Sequence, residues 1–214
     1  MVKVKTNIIR VDQVKSDMKV LKEAVNVMKK GGLIVYPTET CYGIGADATN
    51  MKSIKKIYEI KGRDFSKPIP ILVSNLEIIK KYGIITKEIE ILIKKFMPGP
   101  LSIITKKIRP VSDANQEGIS FRISSHPIAS ELVKLLKKPI TTTSANISGQ
   151  PSIYEIKKVI ETFENKVDMI IDYGDLPRTE PSTCIDMTSE GNVKVVREGP
   201  IPSESIMKAL MKVN

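Results

Sequence analysis

Tryptophan is absent from the 214 residues, histidine occurs once, and Cys41 and Cys184 are the only cysteines. Each scarcity closes a class of function. The one histidine, His126, leaves no Ser/His/Asp or Cys/His set, and argues against hydrolytic zinc chemistry and against imidazole-centred general-base catalysis. Followed by Pro127, it reads as the cap of a helix. The two cysteines lie far apart and form no CxxC, so neither a disulfide framework nor a zinc site is implied. Cys41, beside a turn, reads as a small buried hydrophobe. Aromatics make up 5% of the chain, few for a protein that reads single-stranded RNA by stacking. No apolar run approaches the roughly 18–20 residues that cross a bilayer. Met1–Thr6 alternates Lys with Val and lacks the apolar stretch of a secretory leader. The expected setting is therefore cytoplasmic, with no membrane partner.

What the chain does contain is enough apolar residue for a core, 41%, beside 27% charged residues. One ordinary domain over residues 1–214 is expected, without repeats, low-complexity tracts or linkers. The net charge is +10. Such a surplus favours anionic partners, nucleotides or RNA, and equally suits a Lys-rich solvated surface. Of the 34 basic residues, six are arginine: Arg10, Arg63, Arg109, Arg122, Arg178 and Arg197. Where lysine serves almost everywhere, an arginine points to planar, bidentate contact.

Apolar periodicity alternates strands with helices. Asn7–Val11 reads as a short strand. Ser16 is placed to cap a helix that runs through Met18, Leu21, Val25 and Met28 to Gly31-Gly32. Leu33–Tyr36 reads as a buried strand, Met51–Lys61 as a helix leaving at Gly62, and Ile69–Val73 as a strand. Leu76–Lys81 and Lys87–Phe96 read as helical. After Pro98-Gly99-Pro100 come strands at Leu101–Lys106 and Ile119–Ser124, a helix at Pro127–Lys137 and a strand at Ile140–Thr143. Ser152-x-x-Glu155 has the pattern of a capping box opening a helix to Phe163. Strands at Met169–Asp172, Thr183–Asp186 and Val193–Arg197 follow, and Ser203 is placed to cap a last helix. The class is α/β or mixed α+β.

Several motifs are set aside. Gly43-Ile44-Gly45-Ala46-Asp47-Ala48 fits a loose GxGxxA, but Pro37–Tyr42 separates it from the preceding strand, which a dinucleotide fingerprint does not allow. No GxxxxGK[ST] occurs. Asn146-Ile147-Ser148 is a glycosylation sequon without a secreted context.

Polar clusters just after strands remain. Pro37–Gly43 presents Thr38, Glu39 and Thr40 before a glycine turn, which serves turn chemistry or a ligand. Lys61, Arg63 and Lys67 lie at a helix C-terminus, where the dipole favours cations and where a polyphosphate would also be held. Arg122 sits between Phe121 and Ile123 in a strand, and needs an internal ion pair or an anionic ligand. Thr141–Gly149 is dense in hydroxyls that can donate to phosphate or join a metal's water shell. Pro181-Ser182-Thr183 and Arg197-Glu198-Gly199 complete the set.

In this order the pieces resemble the YrdC-like threonylcarbamoyl-AMP synthase family. The resemblance runs from about Gly31 to Gly199. It rests on PTET-x-YG-x-G at Pro37–Gly45, KxR at Lys61/Arg63, SxN at Ser144/Asn146, PSTC at Pro181–Cys184 and VVREG at Val195–Gly199. It implies an open, twisted α/β sandwich with a concave basic face. The implied activity joins L-threonine, bicarbonate and ATP into L-threonylcarbamoyl-adenylate and releases pyrophosphate. That product supplies the threonylcarbamoyl group of an adenosine beside the anticodon of certain tRNAs, through a separate transferase. Carried over, ATP contacts fall on Lys61, Arg63, Lys67, Ser144, Asn146, Ser152 and Arg197, with Lys61 and Arg63 as the catalytic pair. Threonine contacts fall on Thr40, Arg122, Thr142 and Ser182. Magnesium is expected with the ATP phosphates, with Asn146 as a candidate ligand. Lys67 stands where many members carry Asn, and Leu72 where some carry His. Some members have a further C-terminal domain, which a chain ending at Asn214 is expected to lack. Two other readings are an RNA-binding module without chemistry, and the carbamoyl-phosphate chemistry of related domains in much longer hydrogenase maturation proteins.

Overall fold

Strand β2 (Ile34–Pro37) is buried along its whole length, because helices cover both of its faces. Alternation sorts its side chains. Ile34 and Tyr36 pack with α1 (Met18–Lys29) and α5 (Pro127–Leu136), while Val35 faces α2 (Met51–Lys61) and α6 (Ile156–Phe163). The computed structural model describes residues 4–11, 17–111 and 117–211. Among them, β2 belongs to a five-stranded sheet with β1 (Asn7–Arg10), β9 (Met169–Asp172), β3 (Tyr42–Gly45) and β8 (Thr143–Ser144), in the order β1-β9-β2-β3-β8. β9 runs parallel to both β1 and β2, and β3 is antiparallel to β2 and β8.

A second, six-stranded sheet has the order β11-β10-β5-β6-β4-β7. Its strands are β11 (Lys194–Arg197), β10 (Thr183–Asp186), β5 (Leu101–Lys106), β6 (Gly118–Arg122), β4 (Ile71–Leu72) and β7 (Ile140–Thr141). One face packs on α3 (Leu76–Ile79), α4 (Lys87–Phe96) and α7 (Ser203–Met211) through Phe121, Ile103, Ile89, Leu92 and Ile206. β7 and β8 are consecutive in the chain yet lie at the edges of different sheets, so residues 140–144 form the seam between the two layers. No helix among the described residues is long and apolar enough to cross a membrane.

Local chemistry explains most boundaries. Asn50 caps α2, and Gly62 ends it at φ 57°, a left-handed conformation that glycine adopts without strain. His126 caps α5, with Pro127 in the first turn. Asp17 caps α1 by accepting from Lys19 N and Val20 N; the expected cap Ser16 lies outside the described residues. Two other expected caps are not formed. α6 starts at Ile156, whose N–H donates to Asp175 Oδ1 at 2.9 Å. A long-range partner thus replaces the Ser152–Glu155 capping box, and Glu155 pairs instead with Arg178 and Lys158. Ser203 is the first residue of α7 rather than its cap, and its own N–H goes to Glu198 Oε1.

The glycine-rich stretch forms β3, which periodicity alone did not show. It needs glycine for packing: a Cβ on Gly45 would stand 2.7 Å from Tyr36 Cε1 and 3.1 Å from Ile34 Cγ1. Gly45→Ala is therefore expected to lower unfolding stability by about 1–3 kcal/mol, the usual range for overpacking. Urea denaturation reads this, and an unchanged midpoint would contradict the close approach.

Candidate active site

The face of the six-stranded sheet opposite α3, α4 and α7 carries, in its central strands, the polar half of the strand alternation. In β5, β6 and β10, Leu101, Ile103, Ile119, Phe121 and Ile185 enter the core. Ser102, Ser120, Arg122 and Cys184 point the other way and line a cavity of about 270 Å³. The β2–β3 hairpin adds Thr38, Thr40 and Cys41. The seam adds Thr142, Thr143 and Ser144, and Arg63, Ser152, Tyr154, Ser182 and Arg197 also line the wall. The lining includes three arginines and no carboxylate.

Thr40, Arg63, Arg122, Thr142, Ser144, Ser152, Ser182 and Arg197, expected from sequence, thus meet in one hollow. Lys61, Lys67 and Asn146 do not line it. Lys61 lies behind the Ser144–Asn146 turn, 1% exposed. Its Nζ donates to Ser144 O (2.5 Å), Asn146 O (2.7 Å) and Asn146 Oδ1 (3.1 Å). Burial, seconded by the charge of Arg63, lowers its pKa to about 8. Asn146 is equally committed: Oδ1 also accepts from Ser144 Oγ at 2.6 Å, and Nδ2 donates to Gln150 O. The Lys67 side chain is exposed, but its carbonyl accepts from Tyr58 OH (2.9 Å) and Arg63 Nε (3.2 Å). Arg63 Nη2 donates to Pro68 O at 3.0 Å. Burial lowers the Arg63 pKa, yet guanidinium stays charged at neutral pH.

Arg197 reaches the cavity because β11 pairs antiparallel with β10, with Arg197 opposite Cys184. Its Nε and Nη2 donate to Ser182 O at 2.9 and 2.7 Å, and Nη2 also to Ser182 Oγ at 3.2 Å. Gly199 lets the two segments meet, since a Cβ there would stand 2.2 Å from Pro181 O. The thiols of Cys41 and Cys184 are both pushed up by burial, so neither is an activated nucleophile.

Glu39 belongs to the site without having been assigned to it. Its Oε1 lies 3.3 Å from Arg122 Nη1, and its other oxygen accepts from Ser124 Oγ. Oε1 is buried and receives no hydrogen bond, so the pair with Arg122 holds by charge rather than by an aligned N–H. Arg122 Nη1 is also 3.4 Å from Thr40 Oγ1. Glu39 thus anchors one edge of the guanidinium. Ser102, Ser120 and Cys184 were also missed, although the alternation of their strands carried the signal.

A family model described as telomere recombination, spanning Sua5, YciO and YrdC, matches residues 26–199. The chain belongs to the Sua5/YciO/YrdC family. A relative from Methanocaldococcus jannaschii is 37% identical over 192 residues, which are 87% of this chain and 91% of that one. The threonylcarbamoyl-AMP synthase of Pyrococcus abyssi is 36% identical over 199 residues, 90% of this chain and 58% of that longer protein. The crystal structure of P. abyssi Sua5 complexed with L-threonine superposes with a TM-score of 0.84 at 33% identity, covering 97% of this chain and 60% of the other. This family's fold is the mixed α/β architecture expected from sequence.

His126, whose titration feels the charge of Glu39, gives the fold a pH signature. Its Nδ1 accepts from Ile128 N at 3.3 Å, which requires that nitrogen unprotonated. Burial, partly opposed by the charge of Glu39, lowers its pKa from 6.5 to about 4. The unfolded chain therefore binds the proton first, and stability is lost as pH falls from 6.5 toward 4, by on the order of 2–3 kcal/mol. His126→Asn keeps a capping acceptor without titrating. Denaturation between pH 4 and 7 is expected to show a shallower acid loss for this variant, and identical slopes would contradict the assignment.

Proposed function

We propose that this chain is a nucleotidyltransferase that makes L-threonylcarbamoyl-adenylate from L-threonine, bicarbonate and ATP, releasing pyrophosphate. The observation that carries this reading is one hollow lined by three arginines and a dense set of hydroxyls, with no carboxylate. Arg122 with Thr40, Thr142 and Ser182 suits an amino acid that bears a hydroxyl, and Arg63, Ser144, Ser152 and Arg197 suit a nucleotide. A relative with 36% identity carries the name of that activity, and a family structure holds L-threonine.

The chemistry asks for charge and positioning more than for a base. The threonine amine attacks the bicarbonate carbon: an N–C bond forms, water leaves, and a carbamate results. A carbamate oxygen then attacks the α-phosphorus, and the bond from that phosphorus to the bridging oxygen breaks with loss of pyrophosphate. Apart from the amine, every reacting group is anionic. Cations and held geometry therefore do most of the work. Arg122, anchored by Glu39, takes the threonine carboxylate through its free edge. Thr40, Thr142 and Ser182 are placed for the substrate hydroxyl and amine. A site built to pair that hydroxyl rejects valine by roughly 10⁴-fold.

The donor set does not fit a resident metal. No carboxylate lines the cavity, no metal-holding cluster occurs among the described residues, and Asn146 Oδ1 is already taken by Lys61 and Ser144. Magnesium belongs to this reading as the counter-ion that ATP brings. The product is expected to pass to a tRNA threonylcarbamoyl transferase in the cytoplasm. Direct tRNA or RNA binding by the basic surface is not needed for the reaction.

Incubation with labelled bicarbonate, ATP, magnesium and threonine, omitting each in turn, is expected to give labelled adenylate and pyrophosphate only with the complete set. Product formed without threonine, or none at all, would sink the reading. Arg63→Ala and Arg122→Ala are each expected to abolish adenylate formation while the circular dichroism stays that of wild type. Rates near wild type for both would misplace the site.

A further inference from the structure

An ammonium group has three hydrogens to donate, and at Lys61 each has an acceptor on the same turn. Ser144 O, Asn146 O and Asn146 Oδ1 lie 2.5, 2.7 and 3.1 Å from Nζ. The residue is 1% exposed and is not part of the cavity wall. The backbone grips the same loop: Lys61 O accepts from Ser148 N at 2.8 Å. From there the bonds run on, with Ser144 Oγ donating to Asn146 Oδ1 and Asn146 Nδ2 donating to Gln150 O. A phosphate oxygen finds no spare hydrogen on Lys61 unless one of the bonds that shape the loop is broken. The cavity's own arginines, Arg63 and Arg197, are free of that conflict, because backbone carbonyls hold them at one edge of each fork.

We infer that Lys61 is a positioning residue: its ammonium clips the loop 144–150 beneath the nucleotide end of the cavity, and direct phosphate contact falls to Arg63 and Arg197. A second consequence concerns Ser144. Its hydrogen is committed to Asn146, so its oxygen meets the cavity as an acceptor. It suits a ribose hydroxyl or a base amino group rather than a phosphate oxygen. The inference rests on the nucleotide reading above for its ligand, but not for the clip itself.

Two readouts on wild type, Lys61→Met, Lys61→Gln and Arg63→Met test it. The first is hydrogen–deuterium exchange of residues 144–150 without nucleotide. The second is calorimetric affinity for AMP, ADP and ATP. Lys61→Met is expected to speed exchange in that segment at least tenfold. Lys61→Gln, which keeps two N–H donors without the charge, is expected to fall between it and wild type. Affinity is expected to drop by the same factor, about tenfold, for all three nucleotides in Lys61→Met, whereas in Arg63→Met the loss grows from AMP to ATP. Unchanged exchange in Lys61→Met, or a Lys61 loss that is absent for AMP and largest for ATP, would overturn the clip in favour of direct contact. Should Lys61→Met fail to fold, the comparison of Lys61→Gln with wild type decides on the same readouts. Wild type binding none of the nucleotides would defeat the nucleotide reading, while exchange still decides the clip.

Discussion

The Thr141 hydroxyl ties the two sheets together. It accepts from Ala46 N at 2.9 Å and donates to Ile44 O at 3.2 Å, while the Thr141 carbonyl accepts from Tyr36 OH at 3.0 Å. Its own N–H goes to Ala46 O. The residue is fully buried, and every one of these polar groups has a partner, as burial requires. Desolvation pushes the Tyr36 phenol up, which keeps it a donor. From this fixed point the chain steps across the seam. Thr141 ends a strand of one sheet and Thr143 begins a strand of the other. Thr142 and Ser144 on either side of Thr143 then line the cavity. The part of the wall around Thr40 and Arg122 and the part around Arg63 and Ser144 are neighbours because two sheets meet here.

Charge sets the second constraint. A hollow that gathers anions must hold cations without neutralising them. Arg63 and Arg197 are oriented by backbone carbonyls, of Lys67 and Pro68 and of Ser182. A carbonyl fixes the guanidinium through its dipole and leaves the net charge available. Arg122 alone of the three faces a carboxylate, Glu39, and with it an unaligned acceptor. Arg10, Arg109 and Arg178 lie outside the cavity wall, so the arginines are divided by task in a surface otherwise supplied with lysine.

Much of this was legible in the residues. α2, with its glycine exit at Gly62, is local in cause and forms at the bounds its periodicity gives, Met51–Lys61, whereas α1 starts from Asp17 and ends at Lys29, short of Gly31-Gly32. PTET, KxR, SxN, PSTC and VVREG led to the family and, through it, to eight residues of the cavity wall. What stayed hidden depends on contacts between distant segments. β3 carries Gly45, which makes room for the ring of Tyr36, so no strand propensity announced it. The Ser152–Glu155 capping pattern lost to Asp175, twenty residues further on. Glu39 meets Arg122 across 83 positions, and Lys61 exhausts its donors on a turn 83–85 residues away. Ser102, Ser120 and Cys184 were within reach of a period-two reading, since their neighbours in β5, β6 and β10 are core residues.

The central claim is that one cavity brings a threonine carbamate and the α-phosphorus of ATP together. A crystal structure of this chain with L-threonine and a non-hydrolysable ATP analogue tests it most directly. The expected result has the threonine carboxylate on Arg122, the triphosphate between Arg63 and Arg197, and the threonine nitrogen turned toward the α-phosphorus. Either ligand bound away from this hollow, or the two held with the amine facing away from the nucleotide, would contradict it.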